Sequence, residues 1–234
     1  MIAILGALRR ALPLLFTARI IALSTLPLLI AAFVWIAIGV MAWQPVTAAL
    51  AAWFASGAAE PAAWQRFAAD TVALVLFVAL AVVTALTAVA VLTMPVIVKV
   101  VAARHFPALR AVQGGSLVGS LRNASIALAV FLPLWLLALA LLFVPPLYVA
   151  ASLMLNAWLS QRMFRYDALA EHASAAEIAT IVRDSRTSLF GLGLALSPLS
   201  LVPIVNVLVL PIYAGIAFTE LCLSELAALR ARSA

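Results

Sequence analysis

Pro198-Leu-Ser-Leu-Val-Pro203-Ile-Val-Asn206, with Pro211 close behind, lies at the centre of a run from Thr187 to Thr219 that holds no charged side chain. Such a run is too apolar for a soluble domain. If Pro203 to Asn206 is the bend, each arm has about 15 residues, or ~22 Å of helix at ~1.5 Å per residue. The hydrocarbon core of a bilayer is ~30 Å thick. The spacing predicts a helical hairpin that enters the membrane and turns back inside it. A lone Asn in an apolar run must find hydrogen bonds, and at a hairpin tip it can cap a helix or take left-handed geometry. Pro203, Asn206 and Pro211 are therefore read as structural hinge residues.

Composition carries the same message to the rest of the chain. The 234 residues are 68% hydrophobic and 9% charged, against about 25% charged in an average soluble domain. Mean hydropathy is +1.24. This is an integral membrane protein, with no polar stretch long enough for a water-soluble domain, and the bilayer is its first partner. The single cysteine, Cys222, excludes an internal disulfide and reads as a small buried packing residue. His105 and His172 stand far apart, outside any metal-ligand spacing. No metal and no cofactor are expected. The formal charge of +6 records membrane orientation rather than nucleic-acid binding. Residues 1–8 carry no basic side chain, so a cleaved signal peptide is not expected.

Outward from the hairpin, the chain reads as one membrane domain, 1–234. Residues 1–19 form an N-terminal amphipathic helix, with Ile2, Leu5, Leu8, Leu12 and Phe16 on one face, Arg9 and Arg10 on another, and Pro13 as a bend. Residues 20–43 are a first span, and Trp35 and Trp43 fall where an aromatic belt sits. Residues 44–70 read as an outer loop, with Trp53 and Trp64 as interfacial anchors. Residues 71–98 are a second span, and Gly114, Gly115 and Gly119 mark a turn after it. Residues 123–161 form a first hairpin broken by Pro145-Pro146, with Pro133 as a kink. In the mixed-charge segment 162–186, Ser174-Ala-Ala-Glu177 has capping-box spacing. A short amphipathic helix follows, with Ile178, Ile181 and Val182 on one face. The second hairpin, 187–219, and a polar tail, 220–234, complete the chain.

With the N-terminus inside and 44–70 outside, every Lys and Arg except Arg66 faces the cytoplasm, as the positive-inside rule favours. Two full spans plus two re-entrant hairpins and six full spans share this orientation. Helix length favours the hairpins.

No catalytic constellation is present, and an enzyme is not expected. There is no GxSxG, no paired carboxylate within an uncharged run and no P-loop. Gly191-Leu-Gly193 is a lone GxG that reads as close helix packing. No ionisable residue lies deep in an uncharged run, which weakens a proton-pump reading. An anion path needs no such residue, because helix N-termini and arginine forks hold anions. The candidates stand where membrane helices begin: Arg19 with Thr17, Arg122 beside Asn123, and Arg186 with Thr187 and Ser188. The plainer reading of each is a headgroup anchor, as it is for Tyr166-Asp167.

Trp158, Tyr166-Asp167-Ala-Leu-Ala-Glu-His172, Arg183, Arg186, Gly191 and Val202-Pro203-Ile-Val-Asn206 through Pro211 resemble the bacterial CysZ sulfate permeases and the wider family of etoposide-induced protein 2.4. The likeness is strongest over 90–225. The resemblance implies an all-α integral membrane protein with two long transmembrane helices and two hemi-penetrating hairpins, assembled as a homo-oligomer. It implies sulfate uptake across the bacterial inner membrane for cysteine synthesis, with both termini cytoplasmic. The family's sulfate motif falls at Thr17-Ala18-Arg19-Ile20. One arginine matches; the glycine and a second adjacent arginine are absent. After Pro95, Val96 and Ala102 replace the family's usual Phe and acid. These departures leave a second expectation open, a membrane-organising scaffold that transports nothing.

Overall fold

Ala, Leu and Val dominate the long uncharged runs, and where lipid offers no hydrogen bonds the backbone satisfies itself as helix. The computed structural model describes residues 2–55, 60–112, 115–202, 205–206 and 209–233, apart from the side chains at 19, 23–24, 27–28, 82–83, 85–92 and 117. The helices are α1 (Ile2–Leu15), α2 (Ala18–Phe54), α3 (Ala63–His105), α4 (Leu117–Leu139), α5 (Pro145–Ala170), α6 (Ala175–Asp184), α7 (Arg186–Leu196) and α8 (Leu210–Ser233). Short 3-10 segments follow α4 (Ala140–Phe143) and α7 (Ser197–Leu201). No strand occurs among the described residues. The fold is all-α. Leu29–Phe54, Ala63–Ala81, Val118–Phe143 and Leu210–Ser233 are each long and apolar enough to cross a membrane.

The chain forms two compact units, 22–92 and the remainder. In the first, α2 pairs with the leading part of α3. Phe77 sits against two tryptophans, edge-on to Trp35 and stacked on Trp43, each at 6.2 Å between ring centroids. Leu29, Phe33, Leu74 and Val75 point outward, as lipid-facing side chains do. The segment expected as a loop, 44–70, is helical over most of its length. α2 runs through Pro45 to Phe54 and α3 starts at Ala63. The Ala-rich stretch after Pro45 is a strong helix former, and it overrides the proline. The join is tight: Gln65 donates to the Phe54 carbonyl (3.1 Å) and accepts from the Ala62 amide (2.6 Å).

The second unit, 1–21 with 93–234, holds the main core. α1 turns Ala7, Ala11 and Leu14 inward and leaves Ile2, Leu5 and Leu12 exposed, as is Phe16 just after it, so protein covers one face and the other suits a membrane surface. Pro13 lies inside its last turn without breaking it. At the corner into α2, the Thr17 amide and hydroxyl both donate to the Leu14 carbonyl (3.1 and 2.8 Å).

Small residues set the helix contacts of this unit. A Cβ on Gly193 of α7 would lie 2.6 Å from the Ala157 carbonyl oxygen of α5. A Cβ on Gly119 would collide with the Tyr166 hydroxyl, and one on Gly115 with Ala170. Gly119 is thus a packing residue inside α4 rather than part of a turn. Ser116 caps α4 through the Gly119 amide, 3.0 Å. The break in the first hairpin falls at Ala140–Val144, just before Pro145-Pro146. Its second arm, α5, continues past 161 to Ala170. The expected polar tail is also helix: α8 runs unbroken from Leu210 to Ser233 through the middle of the core.

Candidate functional site

The hinge and anion residues singled out by sequence fall in different places. Pro203 and the side chain of Arg19 lie outside the described part. The backbone at Arg19 is the second residue of α2. Asn206 is exposed, and its amide donates to the Val202 carbonyl (2.8 Å). Pro211 is the second residue of α8, where the missing N–H costs no helix bond. The Thr17 hydroxyl hydrogen is spent on Leu14 and is not offered to a ligand. Arg122 is exposed on α4 and makes no ion pair among the described residues. No hydrogen bond among the described residues joins Thr17 to Arg122.

The structure brings together a group that sequence reasoning missed. Glu220 of α8 is fully buried. Arg10 Nε of α1 donates to Glu220 Oε2 at 2.8 Å, and His105 Nδ1, at the end of α3, meets Oε1. A buried carboxylate is costly unless paired and hydrogen-bonded, and these two partners satisfy both oxygens. Glu220 directly follows Thr219, the last residue of the uncharged run. By sequence it stands at the start of the expected polar tail; the continuation of α8 carries it inside.

A second group is basic: Arg162 and Arg165 on α5, with the charge of Arg186 felt at Arg165. Arg162 and Arg165, three apart on α5, share a helix face. Arg162 lies over the Trp158 ring, 5.6 Å from its centroid, and its buried Nε has no hydrogen-bond partner among the described residues. Arg165 donates to Gln161 Oε1 at 3.0 Å. Burial lowers the Arg165 pKa first, and the charges of Arg162 and of Arg186, the first residue of α7, lower it further. Asn123 fixes the turn beneath by donating to the Arg162 carbonyl (2.9 Å). None of the three arginines pairs with a carboxylate among the described residues.

A third group is structural. The expected capping box at Ser174 is present: Glu177 N–H donates to Ser174 Oγ (3.3 Å) and Ser174 N–H to Glu177 Oε2 (2.7 Å). Arg230 of α8 adds Nε to Glu177 Oε1 (2.8 Å) and an N–H to the His172 carbonyl (2.7 Å). The Arg230 hydrogen bond is the largest cause holding the Glu177 carboxyl at about 2. Beside this clamp, His105, Arg110 and Arg230 line an open cleft of about 460 Å³.

Among the described residues no set of His, Cys, Asp and Glu side chains is grouped to hold a metal ion. Long apolar helices, an amphipathic N-terminal helix and basic side chains near helix ends define a multi-pass membrane protein. Residues 7–211 match the family model described as Sulfate transporter CysZ/Etoposide-induced protein 2.4, and the chain belongs to that family. Neither the curated proteins nor the solved structures give a match.

Proposed function

We propose that the protein is a CysZ-type anion permease or channel that carries sulfate across the bacterial inner membrane into sulfur assimilation. The observation that carries this reading is the family match over 7–211. Flux is passive or gradient-driven, since the sequence has no nucleotide-binding motif, and the protein is not an enzyme. The anion first meets Arg19, near the start of α2, with Arg122 as a second basic contact.

The same reading includes cytoplasmic termini, from the distribution of Lys and Arg, and a homo-oligomer. It also includes two re-entrant hairpins, α4–α5 and α7–α8. The 11 residues of α7 make ~16 Å of α-helix, and the 5 of the 3-10 segment add ~10 Å. That arm of the second hairpin is short of the ~30 Å hydrocarbon core, whereas the stretches Val118–Phe143 and Leu210–Ser233 are long enough to cross it.

Radiolabelled sulfate uptake into proteoliposomes tests the reading. Uptake above empty vesicles is expected, reduced by Arg19→Ala. Uptake no greater than in empty vesicles overturns the permease; uptake untouched by the substitution overturns only the Arg19 contact.

A second reading, a membrane-organising scaffold, is favoured by the outward apolar side chains of α1 and the residue after it, with Ile2 91% and Phe16 70% exposed. A helix of this kind inserts into one leaflet and strains it. Vesicle tubulation without sulfate uptake is the outcome that selects it.

A further inference from the structure

We propose that Arg162 and Arg165 on α5, with Arg186 at the start of α7, form a binding site for one tetrahedral oxyanion, a free sulfate or phosphate or the phosphate of a lipid headgroup. Three guanidinium groups repel one another, and gathering them without a carboxylate is unfavourable unless an anion joins them. Of the nearby acids, Glu171 faces Lys99 at 4.0 Å and Asp184 takes Arg183 at 2.8 Å. Glu225, three residues beyond Cys222 on α8, makes no ion pair with any of the three arginines among the described residues.

The two α5 arginines are also held in place. Arg162 is braced by Trp158, and its Nε is a buried donor without an acceptor among the described residues. Arg165 is steadied by Gln161. The close approach of α7 to α5 at Gly193 and Ala157 fixes the two helices that carry the arginines. Arginine suits a tetrahedral oxyanion because its planar fork presents parallel N–H donors to two oxygens. As a station on a permeation route the site rests on the permease reading; as a binding site it is measured without transport.

The test uses the full chain in nanodiscs. In phosphatidylcholine discs, sulfate titrated calorimetrically against a chloride background is expected to bind saturably. Arg165→Gln and Arg186→Gln are each expected to weaken it ~10-fold or more, and Arg186→Lys to retain part of the affinity. In discs containing phosphatidylglycerol, native mass spectrometry reads lipid retained by the protein. Sulfate binding lost in the variants assigns the site to a free anion. Retained phosphatidylglycerol lost in the variants, without sulfate binding, assigns it to a lipid phosphate. Neither ligand bound, or binding unchanged in both variants, overturns the proposal. Arg186 is exposed, so Arg186→Gln keeps the test decisive if Arg165→Gln fails to fold. Uptake that persists after binding is lost overturns this site alone, whereas binding without uptake overturns the permease alone.

Discussion

α4 and α8 both contain stretches apolar enough to cross a bilayer, yet they meet different surroundings. Of an 18-residue apolar window within Val118–Phe143, 11% is buried, against 67% of one within Leu210–Ser233. α4 presents Leu132, Leu134, Leu136 and Leu137 outward. α8 packs Ala214, Gly215, Ile216, Ala217 and Phe218 inside, with Phe218 stacked on Phe164 of α5 at 5.7 Å. Small residues let neighbouring backbones approach α8, whereas the large side chains of α4 suit lipid. Hydropathy ranks both as membrane helices; side-chain size and the placement of charge separate the protein-facing one from the lipid-facing one.

The sharpest way to break that contrast is to attack the charge inside α8. Arg10→Ala leaves the Glu220 carboxylate buried with His105 as its remaining partner. The Arg10 side chain is 44% exposed, so water replaces part of what it gives. Leaving the buried carboxylate short of a charged donor costs about 3 kcal/mol, and the expected result is a clear fall in thermal stability in detergent. A cycle with Glu220→Gln should show coupling above about 1 kcal/mol. Additive effects would mean that the pair does not hold α1 to α8.

Next in size is the close contact of α7 with α5. Gly193→Val places its Cβ against the Ala157 carbonyl and forces the helices apart, at about 1–3 kcal/mol. The equivalent change at Gly39 of α2, where a Cβ meets nothing within 4 Å, should be nearly silent. Equal effects at the two glycines would remove the argument that small residues mark the protein-facing contacts.

The clamp on α8 gives a pH-dependent effect. The Glu177 carboxyl lies near 2, below its ordinary 4.5. A depressed folded-state pKa means that the stabilisation is present above about pH 4.5 and fades as pH falls towards 2. Both partners are partly exposed, so screening limits it to about 1 kcal/mol. Glu177→Gln should flatten that part of the acid stability profile, and an unchanged profile would show that the Arg230 bridge contributes nothing.

Much of the fold was legible because apolar runs and the Ser174 capping box are local signals. The misread parts depend on what lies beyond the local window. The 44–70 segment carries Pro and Gly, yet the Ala-rich stretch between them extends α2 to Phe54. Glu220 was not singled out within the 220–234 tail because sequence alone does not show that Arg10, 210 positions away, lies beside it. The arginine group was half visible: Arg186 was noted as a helix start, but the reach of its charge to Arg165 depends on how α7 packs on α5. Arg19 and Arg122 were chosen by position at helix starts, a criterion that carries no information about neighbours.

The smallest expected effect tests the lipid-facing half of the comparison. Leu137 on α4 is 70% exposed. Leu137→Ala removes apolar surface that faces lipid on both the folded and the locally opened helix, so little transfer free energy changes. The expected shift is within about 0.5 kcal/mol, as for other substitutions away from packed contacts. Leu221, fully buried on α8, is its counterpart, and Leu221→Ala leaves a cavity costing about 2–5 kcal/mol. Thermal stability of the two variants in the same detergent decides the matter. If Leu137→Ala destabilised as much as Leu221→Ala, α4 would be covered by protein in the working state. A second copy of the chain would then be the natural candidate for what covers it.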